Sequence, residues 1–328
     1  MSPPGGPSRR ALLAAAAFAL VTLLAAVAML FWPWRQASPP VPLLWEVSDD
    51  ADRSNRLYLL GSFHLLRASD YPLAPEVDAA YADAESLLFE LSPAELESPD
   101  FGRRMQAAAQ REDGRRLDEA LGPELAAQLW QWLEANGHAL GEAASQVQDY
   151  DAWFVGLLVS LTELGRHGLD PALGLDRHLG RRASADGKPA SGLETGAQQI
   201  AFLDAMPAMD QRQLLEEALA EAGDRTRIDR LHADWRRGDA EALWTTMGAE
   251  MRREHPELYR RMNAERNRAW LPALERRLAP AAGDDDTLVV VGALHLLGED
   301  GLVALLRDKG YRVRRLCAAC APPAEAAP

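Results

Sequence analysis

A ten-residue phrase occurs twice, once near each end of the body of the chain, and it limits the available folds more than any other feature. Leu57-Tyr58-Leu59-Leu60-Gly61-Ser62-Phe63-His64-Leu65-Leu66 returns as Leu288-Val289-Val290-Val291-Gly292-Ala293-Leu294-His295-Leu296-Leu297. Each copy opens with an apolar run short enough to be a buried strand, and the glycine after it permits a sharp turn or a close approach. A histidine follows three residues past the glycine. In a mixed or parallel sheet, ligands gather at the carboxyl ends of strands. Two strand-Gly-x-x-His units therefore predict two imidazoles, His64 and His295, on one rim. A single histidine after a strand is more often a packing or surface residue; the repetition is what favours a shared site.

Between and around these phrases, short apolar runs alternate with long helical patterns. Strands are predicted over 43–47, 57–60, 86–91, 190–193, 288–291 and 311–316. Helical spacing covers 75–84, most of 93–169, 209–222, 225–237, 240–250, 257–278 and 299–308. Both ends of the body read strand, Gly-x-x-His, helix, strand. The predicted fold class is mixed α/β (α+β), with two pseudo-equivalent halves around a central sheet and a helical middle region. Two carboxylates sit where strands end. Glu90 lies inside Leu87-Leu88-Phe89-Glu90-Leu91, where an unpaired charge is costly to bury, unless it faces water at the strand end. Glu194 ends the short run before Thr195-Gly196.

Charge narrows the partners. The 328 residues carry a formal charge of -14, and their basic residues are scattered along helices, so no nucleic-acid partner is expected. Cys317 and Cys320 are too few for a disulfide framework and supply half of a structural zinc set. Residues 1–10 are polar and end in Arg9-Arg10, and 11–32 are apolar except for Thr22. As a helix that run would be about 33 Å long, enough to cross a bilayer. With Trp32 and Trp34 at its end, 11–34 is read as an uncleaved transmembrane anchor; the competing signal peptide would have an apolar region of only about 7–15 residues. Arg9 and Arg10 before the span, against Asp49, Asp50 and Asp52 after it, leave the N-terminus cytoplasmic. The chain is thus expected to be single-pass in the inner (cytoplasmic) membrane, with a periplasmic or otherwise extracytoplasmic body. Residues 35–42 form a Pro-rich linker, 43–316 the folded domain and 317–328 a low-complexity tail expected to be disordered.

No Gly-x-Ser-x-Gly elbow, His-Glu-x-x-His helix, phosphate loop or Gly-x-Gly-x-x-Gly fingerprint occurs in the chain. Two loop histidines and two strand-end glutamates remain, a donor set that suits a divalent transition metal acting on water. Gly61-Ser62-Phe63-His64, Glu90, Gly174-Leu175-Asp176, Glu194 with Gln198, Arg266-Asn267 and Val291-Gly292-Ala293-Leu294-His295-Leu296 follow one another in this order. On these motifs the chain resembles the TraB/GumN family (TraB/PrgY/GumN), whose animal members include the Tiki membrane-tethered metalloproteases, and it looks most like the bacterial GumN-type members.

The resemblance covers 43–316 and implies a mixed α/β domain with both Gly-x-x-His motifs at a metal-dependent site. Carried over, His64 and His295 would be metal ligands or their immediate neighbours, and Glu90 and Glu194 ligand or general base. Arg266 and Asn267 would orient carboxylates or bind substrate, and Asp176 would support the site. Manganese, cobalt or zinc would suit such a set. The implied function is a membrane-anchored extracytoplasmic metal-dependent hydrolase, a peptidase acting on a peptide or protein. The alternative is a non-catalytic peptide-binding or signal-regulating protein with the same fold.

Overall fold

The computed structural model describes residues 38–49, 55–279 and 285–320. The predicted cytoplasmic segment and transmembrane anchor, residues 1–34, lie outside the described residues. Among the described residues no helix is long and apolar enough to cross a membrane.

Six strands form one sheet: β1 (Leu44–Ser48), β2 (Arg56–Ser62), β3 (Ser86–Leu91), β4 (Ala190–Glu194), β5 (Thr287–Gly292) and β6 (Arg312–Arg315), in the order β4-β3-β5-β2-β1-β6. Each lies within two residues of a segment predicted as a strand. β1 is antiparallel to both β2 and β6, while β2, β5, β3 and β4 are mutually parallel. All residues of β3 and β5 are buried, as expected of parallel strands covered on both faces. The cover comes from α1 (Pro75–Asp83), α2 (Leu175–Asp186), α3 (Arg266–Leu278) and α4 (Leu302–Asp308). Val77 and Tyr81, Leu175 and Leu179, Trp270 and Leu274, and Leu302 and Leu306 bring their apolar faces into one core with the strands. A second core, built around Leu129, Trp153 and Leu215, holds together the helices Pro123–Asn136, Ala152–Arg166 and Ala208–Glu221 of the middle region.

The repeated phrases lie side by side. Leu57 faces Thr287 and Ser62 faces Gly292 in the β2–β5 ladder, so both Gly-x-x-His turns leave the sheet at the same end. Phe89 faces Val290 on the other flank of β5, and Leu91 faces Glu194 beyond it. Four adjacent parallel strands thus present Glu194, Glu90, His295 and His64 along one rim. The repetition does not extend to sheet positions. The crossover from β2 to β3 passes over one strand, whereas that from β5 to β6 passes over two.

Two predicted helices are interrupted. The 240–250 pattern resolves into Ala240–Leu243, a wide π-helical stretch Trp244–Ala249 and Glu250–Glu254. The 257–278 pattern resolves into Pro256–Tyr259, a second π-helical stretch Arg260–Glu265 and α3. A wide turn shifts the phase of everything after it, which a search at 3.6-residue period averages away. The second stretch ends directly before Arg266, so it sets the face that this side chain presents.

After β6, Leu316 N–H donates to Leu44 O (2.8 Å) and Ala318 N–H to Glu76 Oε1 (2.7 Å). Cys317 and Cys320 form a disulfide, and described structure continues to Cys320. A loop this short removes little chain entropy, about 2 kcal/mol at most, and few contacts tie it to the body. Replacing both cysteines by serine is expected to lower the melting temperature by no more than about 5 °C. A larger loss in calorimetry would show that this segment belongs to the cooperative core.

Candidate functional site

The first histidine is set by a helix docking against its turn. Leu175 N–H donates to Phe63 O (3.2 Å), and Gly174 lies so close that a Cβ there would fall 1.9 Å from the His64 carbonyl oxygen. Only glycine permits that approach. The docking brings Asp176, in the first turn of α2, under the imidazole: Asp176 Oδ2 is 2.9 Å from His64 Nδ1 and accepts from Ser62 Oγ at 2.5 Å. The Asp176 carboxylate raises the pKa of His64 to about 9, against the opposing effect of burial. The ring nevertheless opens onto solvent, its side chain being 56% exposed, so Asp176 and not enclosure determines its protonation.

The second histidine is enclosed. His295 sits in the short 3-10 turn Ala293–Leu296, with its ring centroid 4.5 Å from that of Trp270. Asn267 Nδ2 donates to the Asp300 carbonyl (2.7 Å), which turns Asn267 Oδ1 toward His295 Nδ1 at 2.7 Å. An amide oxygen only accepts, so Nδ1 carries the proton and Nε2 keeps its lone pair. Burial lowers the pKa of His295 to about 4, leaving it neutral at pH 7.

Glu90 lies between the two rings. Its Oε1 is 3.9 Å from His64 Nε2 and 3.8 Å from His295 Nε2, and accepts from Gly292 N–H at 2.7 Å. Its Oε2 accepts from Arg266 Nη2 at 2.7 Å. Burial pushes the Glu90 pKa up, but the positive field of His295, Arg266 and His64, with the Gly292 amide, holds it well below the usual carboxylate range. At neutral pH His295 is uncharged, so Arg266 and His64 are the cations that matter there.

Glu194 bonds to Arg266 and Trp270 and to neither imidazole. It receives Arg266 Nε on Oε1 and Arg266 Nη2 on Oε2, both at 2.9 Å, and Trp270 Nε1 on Oε1 at 2.9 Å. Arg266 therefore clamps both glutamates, and its Nη1 also comes within 3.1 Å of His295 Nε2.

All seven residues singled out from sequence thus meet at the rim. Gln198, one of the motif residues, instead closes a capping box with Thr195 at the start of the helix Gly196–Asp204. Sequence reasoning missed Ser62, Trp270 and the second role of Gly292. Trp270 stands four residues after Arg266 on the same helical face, a spacing that would have found it. A Cβ on Gly292 would lie 3.1 Å from Glu90 Oε1 and 3.2 Å from His64 Nε2, so this glycine keeps open the space between the donors.

The residues fit a divalent metal by type, and His295 also by tautomer, whereas His64, a cation beside Asp176 at neutral pH, would have to release its Nε2 proton to an ion. Each imidazole has an oxygen on Nδ1, the arrangement that aims Nε2 at an ion, and both Nε2 atoms face one carboxylate oxygen. Their 3.8–3.9 Å separations from it compare with about 3.4 Å between donors on a tetrahedral ion at about 2.1 Å. The three do not gather as tightly as Glu217, Glu254 and His255, whose donor atoms lie within 4.8 Å of one another on the helical side of the molecule. In that second group His255 Nε2 is already paired with Glu217 (2.6 Å), and Glu254 with Arg253 (2.7 Å).

A model of the TraB/PrgY/gumN family matches residues 43–315. The chain is 25% identical over 265 residues to the uncharacterized protein YbaP of Escherichia coli strain K12, covering 80% of this chain and 92% of YbaP. It matches the Shigella flexneri YbaP to the same extent. No solved structure matches.

Proposed function

The chain belongs to the TraB/PrgY/gumN family, and from that premise we propose that it is a metal-dependent hydrolase of peptide bonds, tethered to the inner membrane with its body outside the cytoplasm. The observation that carries the reading is that both Gly-x-x-His imidazoles, each with an oxygen on Nδ1, turn Nε2 toward the same oxygen of Glu90. His64, His295 and Glu90 would hold the ion. When bound, a divalent metal of the manganese, cobalt or zinc type polarises a carbonyl and acidifies water.

The chain's own groups do the rest. Asp176 and Asn267 fix the two rings, and the Gly292 amide fixes the Glu90 oxygen that faces them. Arg266, stacked 4.8 Å from the Trp270 ring, would hold Glu90 and Glu194 in place beside the ion. The apolar segment 11–34 and the Cys317–Cys320 disulfide both suit an anchored body in an oxidising compartment.

One observation favours the second reading, a non-catalytic binder of peptide. Arg266 bridges Glu90, Glu194 and His295 Nε2, so the cluster satisfies its own hydrogen bonds without an ion. Metal content decides between them. The body from Pro39 onward forms one compact unit; purified without chelators, it is expected to carry close to one divalent ion by mass spectrometry. His64→Ala and His295→Ala should each lower that content at least tenfold while leaving the circular-dichroism spectrum unchanged. A metal-free body that still binds peptides would establish the binder.

A further inference from the structure

The two edges of the sheet are built differently. β6 presents Arg312, Arg314 and Arg315; Arg314 pairs with Glu46, and Arg315 donates to the carbonyls of Pro42 and Gly238. Charged side chains of this kind keep foreign strands off an edge. β4, at the other edge, reads Ala190-Ser191-Gly192-Leu193-Glu194, with no charge before Glu194 and with Ala190 and Ser191 exposed.

Leu87 N–H donates to Pro189 O at 2.8 Å. In a parallel ladder, alternate residues turn both backbone groups toward the partner. Ser191 and Leu193 therefore face β3, and Ala190 and Gly192 direct their N–H and C=O groups outward. Among the described residues, no group outside β3 bonds to either of them. This unguarded edge ends in Glu194, within the Arg266 cluster of the candidate site.

We propose that an extended peptide adds to β4 as a further strand, pairing with the outward backbone groups of Ala190 and Gly192, and then crosses the rim to Glu90 and the two histidines. The pairing step stands on the edge itself, whereas the crossing rests on the hydrolase reading given above. Strands in a sheet lie about 4.8 Å apart, so an added strand would run about 10 Å from β3 and about 14 Å from β5. At about 3.3 Å per residue the chain needs three to four residues to reach the ring nitrogens. Substrates should therefore be about eight residues or longer, with the cleaved bond a few residues beyond the paired segment. A second copy of the chain is the poorer occupant, because two five-residue edges bury far less than the roughly 1,200 Å² of a stable pair.

The test uses the full-length protein, a pool of random ten-residue peptides and hydrogen exchange at single amides. Peptide is expected to slow exchange at Gly192 at least tenfold. Ala190→Pro removes an outward donor at the first residue of an edge strand, where proline is tolerated. It should abolish that protection and raise the KM for ten-residue peptides about tenfold, the loss of about one strand hydrogen bond, with metal content and melting temperature unchanged. Five-residue peptides should be turned over at least tenfold less efficiently than ten-residue ones. If peptides are bound or cleaved while Gly192 exchange and the Ala190→Pro KM stay unchanged, or if no peptide slows exchange at all, the edge is not the binding surface. Protection without peptide that grows with protein concentration would assign the edge to a second copy and overturn the proposal. Protection by peptide in a protein that holds no metal and cleaves nothing would retain the edge and remove the hydrolase reading.

Discussion

Glu90→Gln is expected to reduce turnover about a thousandfold, the scale of losing a general base or its equivalent, and to lower metal content together with it. Both oxygens of this carboxylate are acceptors: Oε1 takes the Gly292 amide and Oε2 takes Arg266. An amide side chain must set an NH2 against one of those two donors, at a cost of about 1–3 kcal/mol for the unsatisfied group. Whichever way it turns, the oxygen facing both imidazoles is lost or the Arg266 contact is. Glu194→Gln differs because Trp270 and Arg266 Nε share one oxygen, which an amide retains. That variant should keep its metal and lose turnover by a smaller factor, through a looser Arg266. Metal analysis and single-turnover rates on the two variants check the assignment. Equal metal loss in both would place Glu194 among the ligands and end the division of roles proposed above.

Arg266→Ala should be the most destabilising substitution at the site. The guanidinium is the shared partner of two carboxylates whose side chains are 11% and 14% exposed. Removing one member of a buried ion pair costs about 3–5 kcal/mol, a fall of roughly 10 °C or more in melting temperature for a domain of this size. The pH dependence follows from the charges left behind. Without Arg266, burial acts on Glu90 with less opposition, so its folded-state pKa rises from well below the usual carboxylate range. A carboxylate whose folded pKa is held below its unfolded value contributes stability that is present above the unfolded pKa and is lost as pH falls through the folded one, and the part that Arg266 provides is missing from the variant at neutral pH. The stability deficit relative to the parent should therefore be larger at pH 7 than at pH 3. A deficit of the same size at both pH values would show that packing of Arg266 on Trp270, and not its charge, holds the cluster.

The sequence by itself determined the pieces. Apolar runs located the central strands β2, β3 and β5, because a strand buried on both faces has to be apolar along its whole length, whereas the edge strands β4 and β6 were marked by the turn residues before them, Asp186-Gly187-Lys188-Pro189 and Gly310. The repeated glycine and histidine marked the two turns, and Glu90 stood out because a charge inside such a run needs a partner. Glu194 was marked by its place at a strand end, whereas the roles of Arg266, Asn267 and Asp176 came from motif resemblance, since nothing in their local spacing sets them apart from neighbouring charges on solvated helices.

Tertiary structure decided how these pieces meet. That β2 lies directly beside β5, in a register that puts Ser62 opposite Gly292, depends on pairing between strands more than two hundred residues apart, and no local period encodes it. The same holds for Gly174 under the His64 carbonyl, Asp176 on His64 and Asn267 on His295. The π-helical stretch before Arg266 fixes the direction of the clamp by a one-residue change of phase that a periodicity argument averages out. Which residue types occupy the rim follows from the chain read in order. Which glutamate faces the histidines, and which one only holds the arginine, follows from long-range register and helix docking.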